Sequence, residues 1–128
     1  MFSSLFVNMP VTNVQRSVDF WIELGFSFEP KFTSEQSACL IVSDKVQVML
    51  SNRERFVQLV ERPFADSATS EMVLSFECES AEMVEQLSQK AIALGAKKVS
   101  ELDSNEYMVS WGFEDLDGHL WDLFWFKK

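Results

Sequence analysis

The sequence predicts an α+β protein built from two β-α-β-β-β modules. Three observations lead to this fold class. Apolar residues alternate along several short segments, as they do in strands with two unlike faces. Two other segments have helical apolar spacing and end at a Leu-Gly pair. The order of elements in residues 1–51 recurs in residues 71–128, and residues 52–70 connect the two modules within one structural unit.

The first module begins with a strand over Leu5–Val11, where the apolar side chains recur at every second position. A helix follows, with Asn13 as its N-cap and Gly25 just past its last residue. Three strands are then predicted over residues 26–32, 37–43 and 46–50, with turn residues at 43–45.

The second module repeats this order, although its sequence identity to the first is faint. A strand is predicted over residues 72–78, and Ser80 caps a helix that ends at Gly95. Three strands follow over residues 97–102, 107–113 and 120–126, with a turn at 115–118. In the connecting segment, a short helical turn is expected before Pro63.

Composition excludes several kinds of site. The chain has 128 residues, 47% of them hydrophobic and 24% charged, which is typical of a globular protein. Its single histidine excludes sites built from two or three histidines of one chain. Cys39 and Cys78 lie far apart without a C-x-x-C motif, in apolar stretches, so we expect reduced, buried thiols.

The net charge of −9 argues against nucleic acid and anionic membranes as partners, because both require a basic surface. The acidity is concentrated in residues 71–128, which carry twelve acidic and five basic side chains. No apolar run reaches the roughly 18 residues of a membrane helix, and the first residues lack the layout of a signal peptide. A cytoplasmic location is therefore expected.

Strand alternation separates two faces in each module. One set of side chains is uniformly apolar and is expected to pack under the helices. The opposite set mixes apolar and polar groups, as a small-molecule pocket does. Its members are Phe6, Asn8, Gln47, Met49, Val73, Ser75, Glu77, Leu120, Asp122 and Phe124. The alternative is that this face meets solvent or a dimer partner.

Asp122 is the strongest single candidate, because Leu120 and Phe124 flank it on its own face. Burial there would raise its pKa and make it a proton acceptor, hence a catalytic base, or an anchor for a cation. The alternative is a hydrogen-bonded aspartate at a strand end. Glu77 is either its partner or solvated. The amides of Asn8 and Gln47 could orient a ligand.

Two other residues invite a functional interpretation. Trp111 could stack on a flat ligand, although a place in the core is the simpler expectation. His119 follows Asp-Gly in a turn and alternates away from Asp122, so we expect no catalytic role for it. The acidic residues Glu114, Asp115 and Asp117 are expected to form a solvated turn.

Two segments carry a family pattern. Residues 11–26 are similar to V-x-D-l-x-x-S-l-x-F-Y…L-G-F, with Asn13 in place of aspartate and Trp21 in place of tyrosine. Residues 113–122 are similar to f-x-D-P-D-G-x-x-x-E, with Leu116 for proline and Asp122 for glutamate. Both patterns resemble the vicinal oxygen chelate superfamily, which includes glyoxalase I, bleomycin-resistance proteins and extradiol dioxygenases. The resemblance implies a cupped mixed sheet made by two modules, and a homodimer.

The resemblance also implies where a metal ion would be held, where the family has one. The four ligand positions fall on Phe6, Met49, Val73 and Asp122. Only Asp122 offers a donor that suits a hard or borderline divalent ion. If the register were slipped, Asn8, Gln47, Ser75 and Glu77 would be the nearest residues, and most of these are neutral. No metal and no other cofactor is therefore expected.

Three functions remain open at this point. The first is a metal-free small-molecule-binding protein that resembles the bleomycin-resistance branch, with a cationic or aromatic ligand in the concave face or the dimer cleft. The second is a lyase or isomerase of glyoxalase type, or another enzyme of the superfamily, that uses Asp122 as its base. The third is an acidic interaction module. Loss of the metal donors favours the first or third over the second.

Overall fold

The computed structural model describes residues 2–66, 68–99 and 102–127. The chain divides into two compact units, the first extending to Phe64 and the second beginning at Ala65. Each unit contains one mixed β-sheet and at least one packed helix. The predicted α+β class, with two modules of β-α-β-β-β type, is confirmed.

The first unit holds a four-stranded sheet. Its elements are β1 (Leu5–Val11), α1 (Val14–Leu24), β2 (Ser27–Phe28), a 3-10 helix (Pro30–Phe32), β3 (Ser37–Ile41), β4 (Val46–Asn52) and α2 (Arg53–Val60). The strand order is β1-β4-β3-β2. The first strand runs parallel to β4, and the other pairs are antiparallel.

Helix α1 begins and ends where the sequence predicts. The Asn13 side chain accepts a hydrogen bond of 3.0 Å from the backbone N–H of Arg16, which satisfies one unpaired donor of the first turn. Gly25 ends the helix at φ 111°, in the left-handed region that glycine adopts without a steric cost. The helix buries Trp21 and Leu24 among others, and this apolar stripe packs on β3 and β4.

Two segments of the first unit differ from expectation. The strand predicted over residues 26–32 stops after Phe28, because Pro30 lacks a backbone N–H and its fixed φ suits the 3-10 helix that begins there. The connecting segment forms the eight-residue helix α2 rather than a single turn. Asn52 caps α2 by accepting a 2.8 Å hydrogen bond from the N–H of Arg55.

The second unit holds a five-stranded sheet. Its elements are β5 (Val73–Glu77), α3 (Ala81–Ala93), β6 (Lys97–Lys98), β7 (Asp103–Ser104), β8 (Met108–Glu114) and β9 (Leu120–Phe126). The strand order is β5-β9-β8-β6, and β7 also pairs with β8. The strand predicted over residues 97–102 is represented by the short β6, and its positions 100 and 101 lie outside the described residues. The two-residue strand β7 was not predicted.

Helix α3 packs its buried side on β8 and β9. Ser80 caps it by accepting a 3.1 Å hydrogen bond from the N–H of Met83, as predicted. Gly95 follows the helix at φ 111°. The helix-facing side of the sheet is the core of this unit, and its fully or nearly fully buried members are Val109, Phe113, Trp121 and Leu123.

Ser88 lies in this core with a hydroxyl group that has no partner. It is fully buried on α3, and its Oγ makes no hydrogen bond to any described residue. A buried polar group without a partner costs about 1–3 kcal/mol. We therefore expect Ser88→Ala to raise the free energy of unfolding by about 1 kcal/mol, measured by chemical denaturation.

Gln86, which is exposed on the same helix, provides the control for Ser88→Ala. Gln86→Ala reports the gain in helix propensity alone, a few tenths of a kcal/mol. A Ser88→Ala protein less stable than the wild type would show that the hydroxyl is bonded after all.

The two cysteines behave as predicted. Cys39 and Cys78 are free and buried. Burial is the main cause that raises the pKa of both thiols, and the charges of Glu29 and Asp122, respectively, raise it further. Thiols of raised pKa are poor nucleophiles.

No helix in the described ranges is both long and apolar enough to cross a membrane.

Candidate functional site

Each sheet has one face turned away from its main helix, which we call the open face of that unit. In the first unit this face contains Phe6 and Asn8 on β1, Gln47 and Met49 on β4, and Cys39 and Ile41 on β3. Register pairs Phe6 with Gln47 and Asn8 with Met49, so these four predicted site residues are neighbours. None of the four carries a charge. This face offers apolar contacts and two amides.

The polar groups of the first open face are only partly available. The Gln47 Nε2 donates to the carbonyl oxygens of Ser43 and Asp44, at 3.3 and 3.5 Å. These bonds hold the amide toward the turn between β3 and β4. The Phe6 ring packs edge-on against Phe32, with centroids 6.3 Å apart. Asn8 remains exposed.

The open face of the second unit contains the other predicted residues. Parallel pairing of β5 with β9 sets Val73 beside Leu120, Ser75 beside Asp122 and Glu77 beside Phe124. Antiparallel pairing of β8 with β9 adds a third column, with Glu114 beside Leu120, Gly112 beside Asp122 and Ser110 beside Phe124. The structure therefore brings the predicted residues of β5 and β9 together around Asp122, and β8 adds three residues that were not predicted.

Asp122 occupies the centre of this arrangement. On its own strand it is flanked by the half-buried side chains Leu120 and Phe124. Phe124 in turn packs edge-on against Phe126, with centroids 5.1 Å apart. Across the strands, Asp122 has a hydroxyl on one side, from Ser75, and a glycine on the other. A carboxylate with apolar neighbours and one short polar partner is equipped to hold a cation or take up a proton.

The surroundings of Asp122 disfavour its charged form. Burial raises the pKa of this carboxyl above its ordinary value, and a hydrogen bond from the Ser75 side chain lowers it in part. The folded chain therefore holds the proton of Asp122 to higher pH than the unfolded chain does. It follows that this group stabilises the fold when protonated, and that this contribution is lost as the pH rises through the interval between the two pKa values.

Charge sets the two open faces apart. On the open face of the second unit, four strands each carry a carboxylate. These residues are Glu77, Asp103, Glu114 and Asp122. Asp103 lies on this face because it pairs with Ser110. Lys97, which pairs with Glu114, is a base on the same side. The acidity of residues 71–128 is thus partly located on a face that also exposes Val73 and Phe126. Such a surface attracts cations.

Trp111 does not join this group. It pairs with Leu123, which is buried on the helix-facing side of the sheet, so Trp111 lies on the face opposite Asp122. Its indole Nε1 is buried and has no hydrogen-bond partner among the described residues. His119 lies in the turn before β9, as predicted, and its backbone N–H donates to Asp115.

Asp115 is the residue whose role the sequence did not reveal. It was expected in a solvated turn, but it is 8% exposed. Its Oδ2 accepts a 2.8 Å hydrogen bond from the indole Nε1 of Trp121, and its Oδ1 accepts from the backbone N–H groups of Asp117 and His119, at 2.9 and 3.0 Å. Asp115 therefore joins the turn to the first residues of β9. The one signal for this contact in the sequence is a tryptophan six residues after the first aspartate of an Asp-x-Asp-Gly turn.

Burial raises the pKa of Asp115 above its ordinary value, and the nearby His119 and the N–H donors, the Trp121 indole first among them, act in the opposite direction. The three donors engage both oxygens of this carboxylate, and the side chain is buried, so it is turned toward the protein rather than toward a ligand. We assign Asp115 to structure, and Asp122 to the candidate site.

The donor set does not fit a metal ion. Of the four positions that the resemblance implies, Phe6 and Val73 have no lone pair to offer, and the Met49 thioether suits only soft ions. In the described part of the chain, no group of three or more His, Cys, Asp or Glu side chains is arranged to hold a metal. The donors present at these positions therefore do not make a metal site of the kind that the resemblance implies.

The raised pKa of Asp122 leads to a stability prediction. Asp122→Asn keeps the shape of the side chain and removes the charge, so we expect it to raise the free energy of unfolding by about 0.5–1 kcal/mol at about pH 7. The gain is small because the group is partly exposed. Functional carboxylates commonly lower stability in this way.

The difference between Asp122→Asn and the wild type should shrink as the pH falls, because the wild-type carboxyl then takes up its proton. Denaturation curves at several pH values above the pI of 4.5 measure this difference. A variant that is destabilised by more than about 1 kcal/mol at neutral pH would mean that the charge of Asp122 stabilises the fold.

The family model of the Glyoxalase/Bleomycin resistance protein/Dioxygenase superfamily matches residues 4–123. No curated protein matches the sequence significantly. A hypothetical protein from S. aureus has a similar structure, with a TM-score of 0.83 at 23% identity, covering 97% of this chain and 94% of that one.

Two further solved structures share the fold. A glyoxalase/bleomycin resistance protein/dioxygenase family enzyme from Burkholderia phytofirmans PsJN has a TM-score of 0.81 at 19% identity, with 98% of each chain covered. A glyoxalase-related enzyme from Fulvimarina pelagi has a TM-score of 0.82 at 16% identity, covering 98% of this chain and 88% of that one. At these identities the likeness establishes the architecture alone.

Proposed function

The chain belongs to the Glyoxalase/Bleomycin resistance protein/Dioxygenase superfamily, and from that membership we propose that it binds a cationic, aromatic small molecule without a metal ion. The ligand lies on the open face of the second unit, with its positive group at Asp122. The proposal concerns binding and sequestration of the ligand rather than its conversion.

One observation carries this proposal. Asp122 is the single chemically suitable donor at the four positions where the family resemblance implies metal ligands, and it stands half-buried between Leu120 and Phe124. A partly desolvated carboxylate binds an ammonium group through a charge-assisted hydrogen bond. Apolar and aromatic side chains beside it add contact area for the rest of the ligand.

The electrostatics of the face favour the same ligand class. Glu77 and Glu114 stand diagonally on either side of Asp122, on the two neighbouring strands, at about 7–8 Å in such a sheet. Their charges raise the local concentration of cations and repel anions.

A panel of amines tests the proposal. Benzylamine, which is cationic at neutral pH, and benzyl alcohol, which is neutral and of similar shape, form the central pair. Thermal unfolding of the protein is followed with each compound, before and after treatment with a chelator. We expect stabilisation by the amine alone, unchanged by chelation. Equal stabilisation by benzyl alcohol, or stabilisation that needs a divalent ion, would contradict the proposal.

A second candidate function rests on the raised pKa of Asp122, which makes this carboxylate a stronger base than an ordinary aspartate. An enzyme of this kind would remove a proton from carbon beside a carbonyl group. Incubation with α-hydroxycarbonyl and α-dicarbonyl compounds in D2O, followed by NMR, detects such exchange. Exchange that Asp122→Asn abolishes would favour this function over sequestration. If neither binding nor exchange is found, the acidic interaction module becomes the better account.

A further inference from the structure

We propose that Ser75 is a positioning residue, which holds one oxygen of the Asp122 carboxylate and leaves the other oxygen for the ligand. This inference rests on the proposed function, because it concerns the same site. It adds a second residue with a defined role, and it specifies how the carboxylate is presented.

The strand register places the two side chains together. Ser75 on β5 is directly beside Asp122 on β9, and both project from the open face. Neighbouring strands of a sheet lie about 4.8 Å apart, so side chains at adjacent register positions on one face are close neighbours. That separation brings a short hydroxyl within reach of a short carboxylate. The lowering effect of the Ser75 side chain on the pKa of Asp122 agrees with a hydrogen bond between them.

The other neighbours of Asp122 cannot replace this donor. Leu120 and Phe124 are apolar, and Gly112, its partner on β8, has no side chain. The diagonal neighbours Glu77 and Glu114 are carboxylates, which accept rather than donate when ionised. Of the side chains that the structure describes on this face, the Ser75 hydroxyl is therefore the one placed to donate to Asp122.

Ser110 is the informative contrast. It is the other hydroxyl of this open face near Asp122, but it pairs with Phe124 rather than with Asp122. Its diagonal separation from Asp122 is about 7–8 Å, beyond the reach of a serine side chain. The two serines share chemistry and face, and they differ in register.

The function of this hydrogen bond follows from the two torsions of the aspartate side chain. A carboxylate tied at one oxygen has fewer rotamers to lose when a ligand binds, so less of the binding free energy is lost to ordering. A serine hydroxyl bonded to one oxygen also leaves the lone pairs of the other oxygen directed at the ligand. Ser75 thus prepares Asp122 before the cation arrives.

The experiment compares Ser75→Ala, Ser75→Thr and Ser110→Ala, with benzylamine as the probe. We expect Ser75→Ala to weaken binding about 3–10-fold, the equivalent of one ordinary hydrogen bond. Ser75→Thr keeps the hydroxyl and should restore affinity to within about twofold of the wild type, while Ser110→Ala should leave it unchanged. Equal affinities for Ser75→Ala and Ser110→Ala would overturn the inference.

A ligand-free readout separates this inference from the proposed function. The carboxyl ¹³C resonance of Asp122 reports the hydrogen bond directly. It should move in Ser75→Ala, return in Ser75→Thr and stay in place in Ser110→Ala. If benzylamine does not bind but these shifts are seen, the proposed function fails and the contact between Ser75 and Asp122 stands. If the resonance does not respond to Ser75→Ala, the positioning role is wrong, whatever the protein binds.

Discussion

Replacement of Asp115 by alanine is expected to lower the free energy of unfolding by about 3–4 kcal/mol. The substitution removes the acceptor for three N–H groups, from Trp121, Asp117 and His119. The Trp121 side chain is 1% exposed, so its indole N–H cannot turn to water. Since a domain of this size is stable by about 5–15 kcal/mol, such a loss would be a large fraction of the total.

Asp115→Asn separates the contributions of the two carboxylate oxygens. The amide oxygen can still accept from the backbone N–H groups of Asp117 and His119, but the amide NH₂ then faces the indole N–H of Trp121, and both are donors. We expect a loss of about 1–2 kcal/mol, smaller than for alanine. Asp117→Asn removes a charge from the same turn and serves as the control.

Chemical denaturation measures these losses, and the indole N–H resonance of Trp121 reports the bond itself. That resonance should shift upfield when the carboxylate is removed. Since Asp122 directly follows Trp121, the same bond also positions the start of the strand that carries the site. A loss below about 1 kcal/mol for Asp115→Ala would mean that the turn forms without it.

Local sequence rules predicted the helices well. The caps Asn13 and Ser80 and the glycines Gly25 and Gly95 define the ends of α1 and α3 through contacts within a few residues. Such contacts depend on the sequence alone. The alternation of strand residues likewise assigned Asp122 and its neighbours to one face, because a strand has a period of two wherever it lies.

Other features depend on contacts that local rules do not contain. The apolar alternation over residues 26–32 continued past Pro30, but the missing N–H of proline ended the strand pairing there. The burial of Asp115 depends on Trp121 folding back over the turn, which the acidic composition of the segment conceals. Ile22 on α1 is apolar, yet it is 52% exposed, because the buried stripe of the helix runs through Ser17, Phe20 and Leu24.

The sequence predicted which positions share the candidate site, but it did not predict which of the open functions they serve. Sequence alternation grouped the residues of both modules, and the register then showed which ones touch, above all Ser75 with Asp122. The register also shows that Trp111 lies on the face opposite Asp122. The register of the strands does not identify the proposed ligand, because many small cations combine an ammonium group with an apolar body.

Replacement of Asp122 by asparagine is expected to weaken the binding of benzylamine about 10- to 100-fold. A hydrogen bond to a charged group contributes about 1.5–3 kcal/mol, and asparagine offers a neutral acceptor in the same place. The variant should be at least as stable as the wild type, so the loss of affinity cannot come from unfolding. Loss of affinity together with retained stability is the pattern expected of a residue that serves binding.

Asp103→Asn is the matched control for this prediction. Asp103 is exposed on the same open face, where it pairs with Ser110 rather than with Asp122. Its removal changes the net charge by the same amount, so it reports the general electrostatic field of the face. We expect an effect below about twofold at physiological salt, because charges about a Debye length apart are screened.

The dissociation constant of benzylamine, determined for the wild type and Asp122→Asn with and without a chelator, tests metal-independent binding at Asp122 most directly. The account predicts that chelation leaves the wild-type constant unchanged and that the variant binds at least about tenfold more weakly in both conditions. Binding that disappears on chelation and returns with a divalent ion, or equal constants for the two proteins, would contradict it.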